Sequence, residues 1–186
     1  MKVCILGDTC GKTSIVQRWI KPHAPIHDEK TIGIDMKTMS LIFDNQVHRI
    51  QLWDCSGETY YKNLLDTYIL NAVVVVICFD LTSDNSFQTA QYWATRVKGV
   101  TSDTTICLLG TKLDLESKRF IKGKTIKRYI KKLTFDHVFY SECSAYTGEN
   151  CRNTLHLIIR EGSRTRDTYD INDFKPVEQK SGCTIA

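Results

Sequence analysis

The sequence predicts an α/β domain with a mostly parallel, doubly wound sheet and one antiparallel hairpin. Short apolar runs at residues 3–6, 72–79 and 106–109 have the composition of buried strands, and a fourth strand is predicted at 138–143. Amphipathic helical segments alternate with these strands, as is typical of a parallel sheet covered by helices on both faces. The 186 residues suffice for one domain with a sizeable core. Ligands of such sheets bind at the carboxyl ends of the strands.

Bulk composition excludes several classes of protein. The content of 42% hydrophobic and 25% charged residues is that of a globular domain, and the net charge of +4 indicates no particular partner. The eight cysteines show no regular spacing and no C-x-x-C pair, which favours reduced thiols, a cytosolic compartment and no structural zinc. We find no secretory signal and no apolar stretch near ~20 residues. The aromatic residues are scattered, so no nucleic-acid groove is expected.

The segment between the first strand and the first helix is a candidate phosphate loop. Residues 3–6 are followed by Gly7, Gly11, Lys12 and Thr13, and then by an amphipathic run. The apolar face of that run comprises Ile15, Val16, Trp19 and Ile20. In such an arrangement backbone N–H groups and the helix N-terminus cradle the β-phosphate, lysine reaches the β- and γ-phosphates, and the threonine hydroxyl binds Mg²⁺.

This candidate loop is one residue shorter than the usual pattern. Only Asp8, Thr9 and Cys10 separate the two glycines, whereas G-x-x-x-x-G-K-[ST] has four intervening residues. One residue corresponds to ~3.8 Å of chain, which is substantial for a loop that must encircle a phosphate. A positive φ at Cys10 would also strain its backbone, because a Cβ atom disfavours that conformation.

The remaining elements follow in order. Residues 39–43 and 50–52 alternate between apolar and polar side chains around Asp44 and Asn45, which predicts a half-buried antiparallel hairpin. N-caps within residues 83–86 precede a helix whose apolar stripe comprises Phe87, Ala90, Ala94 and Val97. A basic helical stretch precedes the strand at 138–143, and the last helix begins at about Asn150, with Cys151, Leu155, Ile158 and Ile159 inward. The apolar pattern fades afterwards, so residues 1–161 are predicted as the domain and 162–186 as a flexible tail.

Three further polar clusters lie at predicted strand ends. Asp54 can hold a magnesium shell through water, and Gly57 can offer its N–H to a γ-phosphate, although D-x-x-G alone is a weak signal. Asp114, at the end of Thr-Lys-Leu-Asp 111–114, can accept hydrogen bonds from N1–H and the exocyclic amine of guanine, which adenine does not supply. A backbone N–H near Ser144 and Ala145 could reach the guanine O6. Four such clusters in this order indicate a guanine-nucleotide site.

These motifs together resemble the small GTPases of the Ras superfamily, and most of all the Rab family. The resemblance spans about residues 2–161: residues 31–35 resemble the Rab switch I, 53–57 resemble the Rab Trp-Asp-Thr-Ala-Gly, and 144–150 resemble the end of the guanine pocket. The sequence at 111–114 is closer to the Rho form, but the interval to Ser144 is too short for the Rho insert helix. The Rab family is therefore favoured.

The resemblance implies a role for each matching residue. The residues implied to bind GTP or GDP are Asp8, Thr9, Cys10, Gly11, Lys12, Thr13, Ser14, Thr31, Gly57, Thr111, Lys112, Asp114, Ser144, Ala145 and Tyr146. Magnesium would be held by Thr13 and Thr31, with Asp54 behind a water. Loss of the γ-phosphate from Thr31 and Gly57 would relax the switch loops, which exchange factors, GTPase-activating proteins and effectors would read.

Several positions depart from the family pattern. Glu58 stands where the family has the glutamine that orients the attacking water, and it would act beside Gly57 and Lys12 as the third residue of the implied catalytic set. A carboxylate lacks the amide donor and adds negative charge, so slow intrinsic hydrolysis is expected. Ala24 replaces an aromatic residue and Tyr146 replaces lysine, which with the short loop predicts looser nucleotide binding and fast exchange.

The last four residues, from Cys183 onward, fit a C-a-a-X prenylation signal whose final alanine favours farnesyl. One prenyl chain binds a membrane only marginally, and the tail itself is charge-balanced. Eight lysines and arginines between residues 118 and 132, Arg119 among them, could assist on an anionic leaflet or could simply be a solvated helix face. The expected location is the cytosolic face of intracellular membranes, with a cytosolic pool.

The predicted function is a Rab-like GTP/GDP switch with slow GTP hydrolysis that regulates vesicle and membrane trafficking. The short loop, Glu58 and Ala24 support an alternative, a degenerate module that keeps the partner surface without useful turnover. A P-loop kinase of ATP is a more distant possibility, disfavoured by the motif at 111–114 and by the absence of a lid-like segment.

Overall fold

The computed structural model describes residues 1–23, 26, 30–57, 65–101 and 103–166. The strands of the domain are β1 (Lys2–Leu6), β2 (Ile34–Phe43), β3 (Gln46–Cys55), β4 (Val74–Asp80), β5 (Thr105–Thr111) and β6 (Val138–Glu142). The helices are α1 (Lys12–Ile20), α2 (Leu65–Ile69), α3 (Asp84–Val100), α4 (Gly123–Ile130) and α5 (Cys151–Arg166), with a 3₁₀ helix at Leu113–Lys118. None of the helices in these ranges has the length and apolar character needed to cross a membrane.

The strands form one six-stranded sheet in the order β2-β3-β1-β4-β5-β6. Only the β2–β3 pair is antiparallel, and every other neighbouring pair is parallel. The predicted fold class is therefore confirmed. Because β1 leads into α1, β4 into α3 and β5 into the 3₁₀ helix, the connections at the carboxyl ends of these strands share one edge of the sheet.

The β2–β3 hairpin turns at Asp44 and Asn45, as the sequence predicts. Both residues have left-handed backbone, with φ of 49° and 59°, which matches a two-residue turn compatible with the twist of the strands. The pairing runs from Phe43 opposite Gln46 to Ile34 opposite Cys55, so both strands are longer than the alternation alone indicates. The additional residues of β2 lie on the sheet edge, where one face is half-exposed and the apolar alternation fades.

The core has two layers, one on each face of the sheet. Strand β4 is buried along its whole length, and its residues alternate between the layers. Val75, Ile77 and Phe79 pack with the apolar face of α3, whereas Val74, Val76 and Cys78 pack with α1 and α5. The side chains that these helices contribute include Phe87, Trp93, Ala94, Ile15, Trp19, Leu155 and Ile158. A continuously apolar strand is thus explained by burial on both faces.

Three features differ from the sequence-based expectations. Helix α2 was not expected, because five residues are too few to display a helical period. The basic stretch is divided into a 3₁₀ helix and α4. Helix α5 continues to Arg166, past the predicted boundary at residue 162, and Gly162 is buried where an added Cβ atom would lie 2.7 Å from the Val74 side chain. The predicted tail from residue 167 onward lies outside the described residues.

Candidate nucleotide-binding site

The loop between β1 and α1 is shaped by its two glycines. Gly7 has a φ of 144°, and a Cβ atom there would lie 2.5 Å from the carbonyl oxygen of Cys78. Gly11 has a φ of 88° and precedes the first residue of α1. The possible strain at Cys10 does not arise, since its φ is not positive and its side chain is buried instead. The short loop therefore places its unusual backbone at residues that tolerate it.

The N-terminus of α1 has the properties of an anion site. Gly11 supplies no side-chain cap, and no acidic residue lies in the first turn, so the first N–H groups of the helix lack the usual side-chain acceptor. Lys12 is only 6% exposed, and its ammonium donates to the backbone oxygen of Asp8 in the same loop. A buried cation and an uncapped helix N-terminus both favour an anionic ligand here.

The three predicted magnesium residues meet in the structure. The Thr13 hydroxyl donates to Oδ2 of Asp54 at 2.6 Å and lies 2.6 Å from the hydroxyl of Thr31. Asp54 is the penultimate residue of strand β3 and is fully buried, and its Oδ1 has no hydrogen-bond partner among the described residues. Burial raises the pKa of this carboxyl, while the hydrogen bond from Thr13 and the charge of Lys12 oppose the shift.

This donor set fits a magnesium ion. Two hydroxyls and one carboxylate are hard oxygen ligands, and Mg²⁺ commonly takes few protein ligands while keeping water and phosphate oxygens. The unpaired buried oxygen of Asp54 needs a donor, which a metal-bound water would supply. Thr13, Thr31 and Asp54 are therefore the residues that would hold the ion.

The predicted guanine-binding segments also lie together. The buried Ser144 hydroxyl donates to Oδ1 of Asp114 at 2.5 Å, which fixes the exposed carboxylate at the start of the 3₁₀ helix. The Thr111 hydroxyl contacts the backbone oxygens of Cys10 and Phe79 at 2.7 and 3.1 Å. It thereby joins the end of β5 to the candidate phosphate loop.

Lys112 and Tyr146 occupy the outer part of this region. Lys112 has left-handed backbone, and its ammonium lies 2.7 Å from Oδ2 of Asp80. Burial acts to raise the pKa of Asp80, but the hydrogen bonds from Lys112 and Thr82 outweigh it and lower that pKa. The Tyr146 side chain is 82% exposed beside Ser144 and Ala145.

Gly57 lies against the candidate phosphate loop. A Cβ atom at this position would be 2.7 Å from the carbonyl carbon of Asp8, so only glycine permits this approach of the two backbones. The Asp8 carboxylate accepts from the Ser86 hydroxyl at 2.8 Å, and that hydroxyl in turn accepts from the Asp80 N–H. Ser86, at the start of α3, is a supporting residue that the sequence did not single out.

Two arginines, Arg18 and Arg119, connect the site to its surroundings through contacts that the sequence did not predict. Arg18 donates from Nε to the Ala145 oxygen at 2.8 Å and from Nη2 to the Tyr146 oxygen at 3.3 Å. Arg119 pairs with both carboxylate oxygens of Glu142, which ends β6, and with Glu116 in the 3₁₀ helix. Neither set of contacts could be expected from the local sequence, because an arginine near a helix end usually interacts only with the helix dipole.

The remaining predicted site residues fall into two groups, those that the structure describes and those outside the described residues. Thr9 and Ser14 lie in the described part of the loop and in the first turn of α1. Glu58 and the proposed lipid attachment residue, Cys183, lie outside the described residues, as does Ala24. Their assigned roles stay predictions.

Comparison with known proteins identifies the family. A human protein named EF-hand calcium-binding domain-containing protein 4B is 29% identical over 187 residues, covering 98% of this chain and 25% of that protein. The chain therefore spans about a quarter of the length of that relative. The family model described as the Ras family matches residues 2–164. Because this match covers nearly the whole described chain, the protein belongs to the Ras family and is a small GTPase of the Ras superfamily.

Proposed function

We propose that the chain is a Rab-like switch that binds GTP and GDP with Mg²⁺, hydrolyses GTP slowly and acts in vesicle and membrane trafficking. The observation that supports this most directly is the contact of Thr13, Thr31 and Asp54, three residues distant in sequence that belong to α1, the segment before β2, and β3. Thr31 precedes the edge strand, so its release from this cluster would couple the site to the β2–β3 hairpin.

In the proposed binding and hydrolysis of GTP, each side chain of the site has its own role. Magnesium, when bound, supplies a positive charge that neutralises the phosphate oxygens. Lys12 and the first N–H groups of α1 orient the phosphates, while Thr13 and Asp54 hold the metal side of the site. Asp114, fixed by Ser144, selects guanine by accepting from its N–H groups. Glu58 would orient the attacking water poorly, so hydrolysis would depend on an activating protein.

The proposed location is the cytosolic face of an intracellular membrane, with Cys183 as the prenylated residue and residues 167–186, which follow α5, as the tail. The proposed partners are an exchange factor, an activating protein and effectors at the switch regions. The family membership and the sequence motifs support these proposals.

Nucleotide content tests the central proposal. We would purify the chain with Mg²⁺ kept throughout, denature it and separate the released nucleotides by chromatography. We expect about one guanine nucleotide per chain. A protein that emerges empty and also fails to bind added GDP or GTP would contradict the switch and favour the interaction module, which the shortened loop already suggests.

A further inference from the structure

The exposed face of helix α4 carries a row of positive charges. Lys124, Lys127, Arg128 and Lys131 follow the i, i+3, i+4, i+7 spacing that places side chains on one side of a helix, and all four are exposed. We call these four residues the basic stripe. The opposite side of α4 contains the fully buried Ile126, which joins the core packed against α3. The stripe therefore points directly away from the domain.

These charges have no evident role within the fold. The ion pairs in this part of the described chain join Arg119 to Glu116 and Glu142, and none of those found among the described residues includes a member of the stripe. Like charges at three- and four-residue spacing destabilise a helix, and α4 has only 8 residues. Further exposed lysines precede and follow the stripe at positions 118, 122 and 132.

We propose that the basic stripe docks on an anionic lipid surface. A helix face is convex and offers no groove that would enclose a peptide, whereas many separate cations suit a plane of lipid headgroups. Three of the four members are lysine, which acts as a point charge rather than as the planar fork that arginine uses for carboxylates. The charge and the shape together favour a membrane over an acidic protein.

The position of the chain exit supports this choice. Residues 136–139, which follow α4, and Glu161 near the end of α5 line the same cleft. Helix α5 ends at Arg166, and seventeen residues lead from there to Cys183, a reach of at most about 60 Å. An anchor at Cys183 could therefore bring the stripe to the same membrane and supply the second signal that one lipid chain needs. The inference rests on the proposed membrane location.

Vesicle binding by the unlipidated full chain tests the inference apart from the lipid anchor. The probes are phosphatidylcholine vesicles with and without about 30% phosphatidylserine, sedimented with the protein at about 0.1 M salt. We expect binding only to the phosphatidylserine vesicles and a decrease with added salt. Nucleotide content, measured on the same preparations, reports separately on the proposed switch.

A charge-reversal pair provides the matched comparison. The stripe variant is Lys124→Glu with Lys127→Glu and Lys131→Glu, and the control is Arg49→Glu with Lys98→Glu and Arg152→Glu, three exposed cations on β3, α3 and α5. Both change the net charge equally. Each cation near an anionic leaflet raises the membrane affinity about fivefold. We therefore expect the affinity for phosphatidylserine vesicles to fall at least 100-fold in the stripe variant and less than about fivefold in the control.

Several outcomes would overturn the inference. Equal losses of vesicle binding in both variants would show an effect of net charge alone. Unchanged vesicle binding by the stripe variant would show that the stripe does not dock on the membrane. A wild-type chain that ignores anionic vesicles but binds polyglutamate through the stripe would assign this face to an acidic protein instead. Circular dichroism and thermal melting of each variant establish that α4 remains folded.

Discussion

Asp54 is the candidate residue for the metal side of the site. Its Oδ2 accepts from Thr13, while its Oδ1 is buried without a partner among the described residues. In Asp54→Asn the carboxylate charge is lost, so Mg²⁺ should no longer slow nucleotide release. Loss of one charged contact of about 1.5–3 kcal/mol corresponds to GDP release about 10–100-fold faster.

Release of a fluorescent GDP analogue with and without EDTA measures this effect. Asp44→Asn is the matched control, because Asp44 lies at the exposed turn of the same hairpin, where asparagine also tolerates the φ of 49°. We expect the control to retain the EDTA response. If Asp54→Asn also retained it, Asp54 would have no part in holding the metal.

Glu58 leads to a prediction about the rate of hydrolysis. If Glu58 has the proposed role, Glu58→Gln would supply the missing amide donor and remove a negative charge from the reaction, so single-turnover GTP hydrolysis should accelerate. A barrier lower by ~1–3 kcal/mol corresponds to about 10–100-fold. Glu58→Ala removes the charge without adding a donor and should give a smaller increase; no acceleration in Glu58→Gln would count against this role.

Arg119 links two segments on either side of the candidate guanine site. It binds Glu142 through both carboxylate oxygens and Glu116 through Nε, and its side chain is 16% exposed. Arg119→Gln should lower the free energy of unfolding by about 2 kcal/mol. It should also weaken GDP binding, because Glu142 directly precedes Cys143 and Ser144 in the pocket.

The pH dependence of the stability loss in Arg119→Gln shows whether the contact with Glu142 causes it. Burial acts to raise the pKa of Glu142, but the hydrogen bonds from Arg119 and Tyr140 outweigh it, so its folded pKa lies below the ordinary value of 4.5. A lowered folded pKa means that the stabilisation is present above pH 4.5 and is lost as pH falls through the folded pKa. The difference in unfolding free energy between wild type and Arg119→Gln should therefore narrow below pH 4.5 and stay constant near pH 7.

At the scale of residues, the candidate ligating groups are easier to identify from the sequence than the side chains that support them. Lys12, Thr13, Asp54 and Asp114 stand at fixed positions relative to strand ends, and such spacing is visible in one chain. The supports connect residues far apart in sequence, as Arg18 does with Ala145, 127 positions away. Nothing local distinguishes such an arginine from any other surface cation.

At the scale of elements, the hairpin shows what local sequence can specify. Both central turn residues have positive φ, and Asn45 tolerates it better than other residues that carry a Cβ atom. The turn and the apolar alternation together fix the register, which is why the hairpin could be predicted. Helix α2 could not, because its 5 residues are held by tertiary contacts such as Arg96 with Asp66 on α2.

A substitution in the turn tests this account of the register. Asn45→Val places a β-branched residue at a φ of 59° and should destabilise the protein by about 1–2 kcal/mol, as measured by urea unfolding. Gln46→Val introduces the same side chain at the adjacent, exposed strand position and should be close to neutral. Equal effects at both positions would show that the turn conformation is unimportant.

At the scale of the whole molecule, the site connects the separate parts of the sheet. Its residues come from the ends of β1, β3, β5 and β6, so a nucleotide bound there would bridge four strands of the six. A ligand that binds only the folded state raises stability by mass action, by about 2.7 kcal/mol at a concentration of 100 times its Kd. The stability of the whole domain should therefore depend on guanine nucleotide.

Thermal unfolding of nucleotide-free protein measures this dependence. After extraction with EDTA and phosphatase, GDP with Mg²⁺ should raise the Tm by several degrees, since ~1 kcal/mol corresponds to about 2–4 °C for a domain of this size. GDP with EDTA should raise it less, because Thr13, Thr31 and Asp54 then act without the metal. ADP should raise the Tm little, because adenine lacks the N1–H from which Asp114 would accept a hydrogen bond. An equal shift with ADP would mean that the short loop binds phosphate without selecting the base.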